Sequence, residues 1–184
     1  LTGAAGPGTF SVRAAGQADV AELARLYLAA CQELAGMRGG YVLVGLGGRD
    51  RQEGTEGSFS ADLRDPNRLV VVGAPNGPAA PSEPPSELAA PSEPPSELAG
   101  YGACRLLELD SGELLGSIEE LYVRPEARRA GLGRALAGSL VTWCTSRGCI
   151  GVDAMALPGS RAVKSFFEGE GFTARLLVMH RRLG

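Results

Sequence analysis

The stretch TFSVRAA (9–15) alternates apolar and polar positions, the period-two signature of a short half-buried strand. Asp19 then stands as N-cap to VAELARLYLAACQELAGM, where Val20, Leu23, Leu26, Tyr27, Ala30 and Leu34 recur at three- and four-residue steps and predict an amphipathic helix. Residues 38–67 are rich in glycine and charge, with a weak second helix expected near 58–64. RLVVVGA (68–74) is a β-branched run between turn residues, which predicts a buried strand. YGACRLLEL (101–109) and LLGSIEELYV (114–123) flank the turn Asp110-Ser111-Gly112 and predict an antiparallel hairpin. A helix over about 131–146 carries Leu132, Leu136, Leu140, Val141 and Trp143 on one side, and Arg147-Gly148 stops it. IGVDAMAL (150–157) predicts a strand, SRAVKSFFEGEG (160–171) a short helix ending at glycine, and FTARLLVMHRRL (172–183) a last strand. Strands come first, middle and last with helices between, so a single α/β (α+β three-layer) domain over 1–184 is expected.

One segment falls outside this pattern. PSEPPSELAAPSEPPSELAG (81–100) is a ten-residue unit repeated almost perfectly. Its prolines cannot donate to a sheet ladder and favour extended polyproline-like chain, so 74–100 reads as a solvated insertion between two strands. A proline motif that recruits a partner is the other reading.

Composition narrows the class. With 184 residues, 44% hydrophobic and 21% charged, the chain is long enough and apolar enough for one soluble core. A net charge of −3 argues against a general nucleic-acid binder but leaves room for a local basic patch at Arg124, Arg128, Arg129 and Arg134. That patch is sized for one compact anion. No apolar run approaches the roughly 20 residues of a membrane span. The opening LTGAAGPGTF has neither a basic start nor an apolar core, so no export signal is expected in it, and Leu1 in place of Met suggests a trimmed or unobserved start. Cys31, Cys104, Cys144 and Cys149 lack CxxC spacing and sit in or beside apolar segments, which suits free thiols in a reducing cytoplasm. His180 is the one imidazole, so a multi-histidine zinc site is excluded and no metal is expected. His180 itself reads as a residue near the edge of the last strand.

The basic patch is where chemistry concentrates. In RPEARRAGLGRALA (124–137) a strand runs through Arg124-Pro125 into a loop that opens the amphipathic helix. The first N–H groups of a helix lack internal partners and carry partial positive charge, glycine lets a phosphate approach them, and arginines add direct charge. A Walker string GxxxxGK[ST] is absent, and GLGRAL (131–136) lacks the third glycine of a dinucleotide fingerprint. A weaker candidate, YVLVGLGGRD (41–50), has Asp50 at that third position.

Arg128-Arg129-Ala130-Gly131-Leu132-Gly133 does fit R-x-x-G-x-G, directly after a strand ending Leu-Tyr-Val-Arg-Pro. In this the chain resembles the GNAT (N-acetyltransferase) superfamily, whose acetyl-CoA diphosphate loop has that form. SRAVKSFFEGEGF (160–172) resembles the superfamily's N-x-x-A-x-x-[FL]-Y-x-x-x-G-F segment, with Phe166, Phe167, Gly171 and Phe172 in step. The likeness is most specific over 117–172. It implies a mixed, mostly antiparallel central sheet with helices on both faces, and direct transfer of acetyl from the CoA thioester to an amine. It further implies a bulge that splays the fourth strand from the fifth, with Leu121, Tyr122 and Val123 bonding the pantetheine arm and one N–H stabilising the oxyanion. Arg128, Arg129, Ala130, Gly131, Leu132, Gly133 and Arg134 would hold the diphosphate. Ser160 and Phe167 occupy positions on the cofactor side where the superfamily commonly has asparagine and tyrosine. Phe167 has no proton to give a leaving thiolate, so water, Tyr122 or Ser160 would supply it, while Phe166 is expected in the core.

A protonated amine cannot attack, so a base is needed. Glu119 and Glu120 are the candidates, because adjacent glutamates suit a central strand poorly. Strand side chains alternate faces, so only one is expected to face the site. Glu119 is favoured, since its position relative to the loop matches an acidic residue in some aminoglycoside-modifying relatives; the bland alternative is that both are solvated or in structural ion pairs. Asp153 reads as facing the acceptor or as a structural hydrogen-bonder, Tyr27 as lining the acceptor side or as helix packing, and Trp143 as core. The acceptor, a small-molecule or peptide amine, would be met largely by residues 30–65. Homodimers are frequent in the superfamily, which is analogy alone. The competing functions are a non-catalytic acyl-CoA-binding or regulatory domain on the same fold, and a scaffold acting through its proline repeat.

Overall fold

The computed structural model describes residues 10–37, 39–40, 44, 54–76, 97–157, 160–176, 179 and 181. In chain order the elements are β1 (Phe10–Ala14), α1 (Val20–Ala35), α2 (Gly54–Asp62), β2 (Arg68–Pro75), β3 (Gly100–Glu108), β4 (Leu114–Val123), α3 (Leu132–Ser146), β5 (Gly151–Ala154) and α4 (Arg161–Gly169). The strands form one sheet in the order β1-β2-β3-β4-β5. The first three neighbouring pairs are antiparallel and β4 with β5 is parallel. This is the mixed, mostly antiparallel sheet that the family resemblance implies.

Alternation along the strands builds two cores. Val70, Val72, Tyr101 and Ala103 face α1 and α2, packing with Val20, Leu23, Leu26 and Phe59. Val71, Cys104, Leu106 and Ile118 face the other way, onto Leu132, Leu136, Leu140 and Cys144 of α3 and Phe167 of α4. Each fully buried leucine contributes about 2 kcal/mol of apolar burial, so the helices are held on both faces as a three-layer domain. Tyr27 meets the Phe59 ring edge-on at 6.3 Å, which makes it a packing residue. Trp143 packs partly buried against the α3-side core, under the Arg147 guanidinium at 5.6 Å.

Two glycines let α3 settle close to the sheet. A Cβ at Gly73 would collide with Leu132 Cδ1, and one at Gly116 with Cys144 Sγ. The start of α3, at Leu132, is thereby seated against β2.

Both ends of the expected insertion, 74–100, belong to the fold. β2 continues to Pro75, and Leu98 and Ala99 are 3% and 5% exposed, one in each core. The last Leu-Ala of the repeat is therefore structural, and Ala99 N–H bonds Gly73 O at 2.7 Å just before β3 begins. Residues 77–96, and 45–53 with most of 41–44, lie outside the described residues, and with them the GLGG string. The expected last strand is also revised: residues 172–176 belong to no strand. Phe172 is spent on an edge-on ring contact with Phe167 at 5.1 Å, and Arg175 on an ion pair with Asp153, which gives that aspartate a structural role. His180 lies outside the described residues.

All four cysteines are free thiols. Cys104 and Cys144 are buried with sulfurs 3.4 Å apart, and burial pushes both thiols up in pKa. Among the described residues no helix is long and apolar enough to cross a membrane. No group of three or more metal-ligating side chains is found there either.

Candidate active site

The site starts from one extra residue in β4. Ala103 pairs with Glu120 and Cys104 with Ile118, leaving Glu119 as a one-residue bulge. The bulge resets the alternation. Ile118 and Leu121 both pack on the α3 side although they are three apart, while Tyr122 packs on the α1–α2 side. Glu120 shares the face of Tyr122. Glu119 joins it there, because it pairs with Arg68 and Arg105, which alternate with Val70 and Ala103 on that face. The expectation that only one glutamate faces the site is thus corrected: a bulge places consecutive residues on the same side, where a regular strand would not.

Glu119 is firmly held. Its Oε2 accepts from Arg68 Nη1 and its Oε1 from Arg105 Nη2, both at 2.9 Å. Arg68 and Arg105 are cross-strand partners, so Glu119 bridges two like charges that would otherwise repel. Asp62 reaches Arg68 Nε at 3.3 Å and extends the network to the end of α2.

The bulge also ends the pairing with β5. The parallel register runs from Leu115↔Gly151 to Ile118↔Ala154 and stops, while residues 119–123 continue alongside β3. Past Ile118, the β5-side edge of β4 has no strand partner among the described residues. Leu121, Tyr122 and Val123, half-buried, line up along it.

β4 leads directly into the glycine-arginine loop. A 3-10 turn, Pro125–Ala127, is followed by left-handed backbone at Arg129 (φ 65°) and Gly131 (φ 87°). Left-handed backbone costs a non-glycine residue about 1 kcal/mol, and alternation of this kind brings successive N–H groups to one concave side. The first helical bond of α3 runs from Ala135 N–H to Gly131 O, so the amides of residues 132–134 are those a helix start leaves without intrahelical acceptors. They border a cleft of about 330 Å³ lined by Arg129, Gly131, Gly133, Arg134, Phe166 and Glu170. A Cβ on Gly133 would meet only the Phe166 ring, at 3.5 Å, and Val123 Cγ2, at 3.8 Å, which are ordinary contacts. Packing alone does not require glycine there, and a bare backbone leaves the cleft open at this turn. Two guanidiniums, a helix start and an absent side chain fit a diphosphate.

The four arginines divide. Arg129 and Arg134 line the cleft. Arg124 instead donates to Leu98 O at 2.8 Å and to Glu22 of α1 at 2.6 Å. Arg128 donates from Nε to Val123 O at 2.9 Å and from Nη2 to Glu33 of α1 at 2.6 Å, with its guanidinium 5.8 Å from the Tyr122 ring centre. The hydrogen bond to Glu33 pushes the Arg128 pKa up, so it is a fixed cation. Arg124 and Arg128 therefore tie the loop to α1. Ala130 is exposed in the loop, and Leu132 buries its side chain in the core.

α4 buries Phe167, which the resemblance places on the cofactor side, and leaves Phe166 packed on the core as expected but also at the cleft. Phe167 is 8% exposed in the α3-side core, between Phe166 and Phe172, whereas Phe166 turns one face to the cleft. Phe172 folds back onto Phe167 on that core side, edge-on at 5.1 Å. Ser160 stands at the N-terminal end of α4, its side chain making no cap bond, while Phe166 and Glu170 near the other end reach the cleft. Sequence reasoning missed Glu33, Glu170, Arg68 and Arg105. Nothing in their spacing marks them; only Glu170, an acid between two glycines at a helix end, carried a local signal.

The Acetyltransferase (GNAT) family model matches residues 78–172. No curated protein sequence matches the chain. Among solved structures, an acetyltransferase of Trypanosoma brucei is 22% identical with a TM-score of 0.60, over 95% of this chain and 99% of that one. An aminoglycoside acetyltransferase from an uncultured soil metagenomic sample, in complex with sisomicin, is 17% identical with a TM-score of 0.64, over 96% of each chain. Glucosamine-6-phosphate N-acetyltransferase of Arabidopsis thaliana is 18% identical with a TM-score of 0.63, over 96% of this chain and 99% of that one. At these identities the likeness is one of fold.

Proposed function

Because the chain belongs to the GNAT acetyltransferase family, we propose that it is an acetyl-CoA-dependent N-acetyltransferase that moves acetyl directly from the thioester to an amine. The observation that carries the proposal is the continuity of β4: its unpaired edge past the Glu119 bulge runs straight into the cleft at the start of α3. Acetyl-CoA would supply the activated acyl group. Arg129, Arg134 and the amides of residues 131–134 would hold its diphosphate, and the edge formed by Leu121, Tyr122 and Val123 its pantetheine arm. An N–H of that same edge would stabilise negative charge on the carbonyl oxygen.

Proton handling falls to the α1–α2 face. Glu119 and Glu120 emerge there together, and we assign acceptance of the ammonium proton to this pair, directly or through water. Arg68 and Arg105 fix Glu119 in place but occupy both its oxygens. Water, Tyr122 or Ser160 would return a proton to the thiolate; burial, and then the Glu33 charge, push the Tyr122 phenol up, which makes it the weaker acid of a phenol–thiol pair. A thiol pKa near 8.5 makes the thiolate a tolerable leaving group in any case. The names of two fold relatives put aminoglycosides and amino sugars first among acceptors to try. Free thiols fit a cytoplasmic setting.

The test is thiol release from acetyl-CoA across a panel of aminoglycosides, amino sugars, polyamines and peptides. Amine-dependent release is expected, falling about 10²–10⁴-fold in whichever of Glu119→Gln or Glu120→Gln removes the base. Phe167 standing in the core in place of a hydroxyl, together with the engaged Glu119, favours one second reading, a non-catalytic acyl-CoA-binding domain. Coenzyme A binding without release for any amine would establish that reading instead.

A further inference from the structure

Glu170 is out of place. It is a carboxylate in a cleft otherwise suited to an anion, and it stands at the C-terminal end of α4, where the helix dipole disfavours negative charge. Its backbone N–H closes α4 onto Phe166 O and Phe167 O at 3.1 Å, a task any residue there performs. Its side chain does something specific: Oε1 accepts from Arg134 Nε at 2.8 Å. The carboxylate is well shielded, at 19% exposed, while Arg134 is 74% exposed. The fixed member of the pair is the glutamate.

We propose that Glu170 is a positioning residue for the diphosphate, holding Arg134 by Nε so that its two terminal amino groups face the ligand. The proposal rests on the reading of the cleft as a coenzyme A diphosphate site. A guanidinium carries five donors in a planar fork, and occupying Nε leaves the four on Nη1 and Nη2, the set that binds an anion in bidentate fashion. An exposed arginine on the first turn of a helix samples many rotamers, and ordering it opposes binding. Glu170 removes that cost before the ligand arrives. Arg128 is held differently: its Nε donates to Val123 O and a terminal nitrogen, Nη2, is spent on Glu33 of α1, which leaves Arg134 and Arg129 as the cleft's own cations. The rival idea, that Glu170 competes with the diphosphate for Arg134, predicts the opposite sign.

The experiment is calorimetric titration of the full chain with coenzyme A. Glu170→Ala is expected to weaken binding about 3–10-fold through the freed arginine rotamers. Glu170→Gln keeps an acceptor for Nε and is expected to bind within about twofold of the parent. In an Arg134→Ala background, Glu170→Ala should add nothing, because the two act as a unit. Tighter binding by Glu170→Ala, no change, or an undiminished loss in the Arg134→Ala background each overturn the proposal. Thermal unfolding of Glu170→Gln checks that the fold is intact. Failure of the parent protein to take up coenzyme A would remove the diphosphate reading and this inference together. Binding that is weakened by Arg129→Ala but indifferent to Glu170→Ala would remove this inference alone.

Discussion

Asp19 accepts from Gly16 N–H at 2.8 Å and from both terminal nitrogens of Arg13 at 2.7 Å. The sequence reading makes it the N-cap of α1, but its side chain turns back to tie the end of β1 to the turn before the helix and makes no cap bond to α1. Hydrogen bonding to Arg13 holds its pKa below the usual carboxylate value. A group whose folded pKa is depressed contributes stability above its unfolded pKa, about 3.9, and loses it as pH falls through the lower folded value. Asp19→Asn is therefore expected to cost about 1–2 kcal/mol at neutral pH. The gap to the parent should narrow as the pH is lowered from neutral through the unfolded pKa and on through the lower folded one, read by urea unfolding at neutral and at acid pH. The two phenylalanines of α4 teach the same lesson at the residue scale. Their spacing is legible, but which one meets the cleft depends on the rotation of a helix.

At the scale of elements, the α3 start and the β4 bulge behave differently as sequence signals. Glycines and arginines before an apolar helix point to an anion site on general grounds, and the cleft is indeed at that place. The bulge is expected only through the family resemblance and has no local mark beyond the glutamate pair, because a register shift exists only relative to the partner strand. Gly133 offers a test whose two readouts move in opposite directions. A Cβ there meets nothing closer than 3.5 Å, so Gly133→Ala should raise helix stability by up to about 1 kcal/mol. The same methyl group intrudes on the cleft and should weaken coenzyme A binding. Thermal unfolding and calorimetry on one variant check both; unchanged affinity would show that the ligand does not approach this turn.

For the whole molecule, the layered fold fixes where the chain leaves β2 and where it must be back before β3. β2 and β3 pair through Gly73↔Gly100, and Leu98 and Ala99 are buried between them and the helices. Replacing 77–96 by a short glycine-serine turn should leave the unfolding temperature equal or slightly higher, since shortening a connection of this length recovers only about 1 kcal/mol of closure entropy. Extending the cut through Ala99 removes two core side chains and the Arg124 anchor at Leu98 O, and should be destabilising by several degrees or more. Thermal unfolding of the two deletions compares them directly.

Periodicity and turn chemistry, which act between near neighbours, determined that this chain has a β1–α1 start, a β3–β4 hairpin and a glycine-arginine entry to α3. These were readable because hydrophobic alternation and left-handed glycines are local physics. The tertiary structure decided what depends on a partner far along the chain. It put both glutamates on one face, divided four arginines between α1 and the cleft, and buried the second Leu-Ala of a repeat whose two copies are almost identical in sequence. An unpaired charge or a bulged residue has no meaning until the opposing strand or helix is in place, so no local pattern could have announced it.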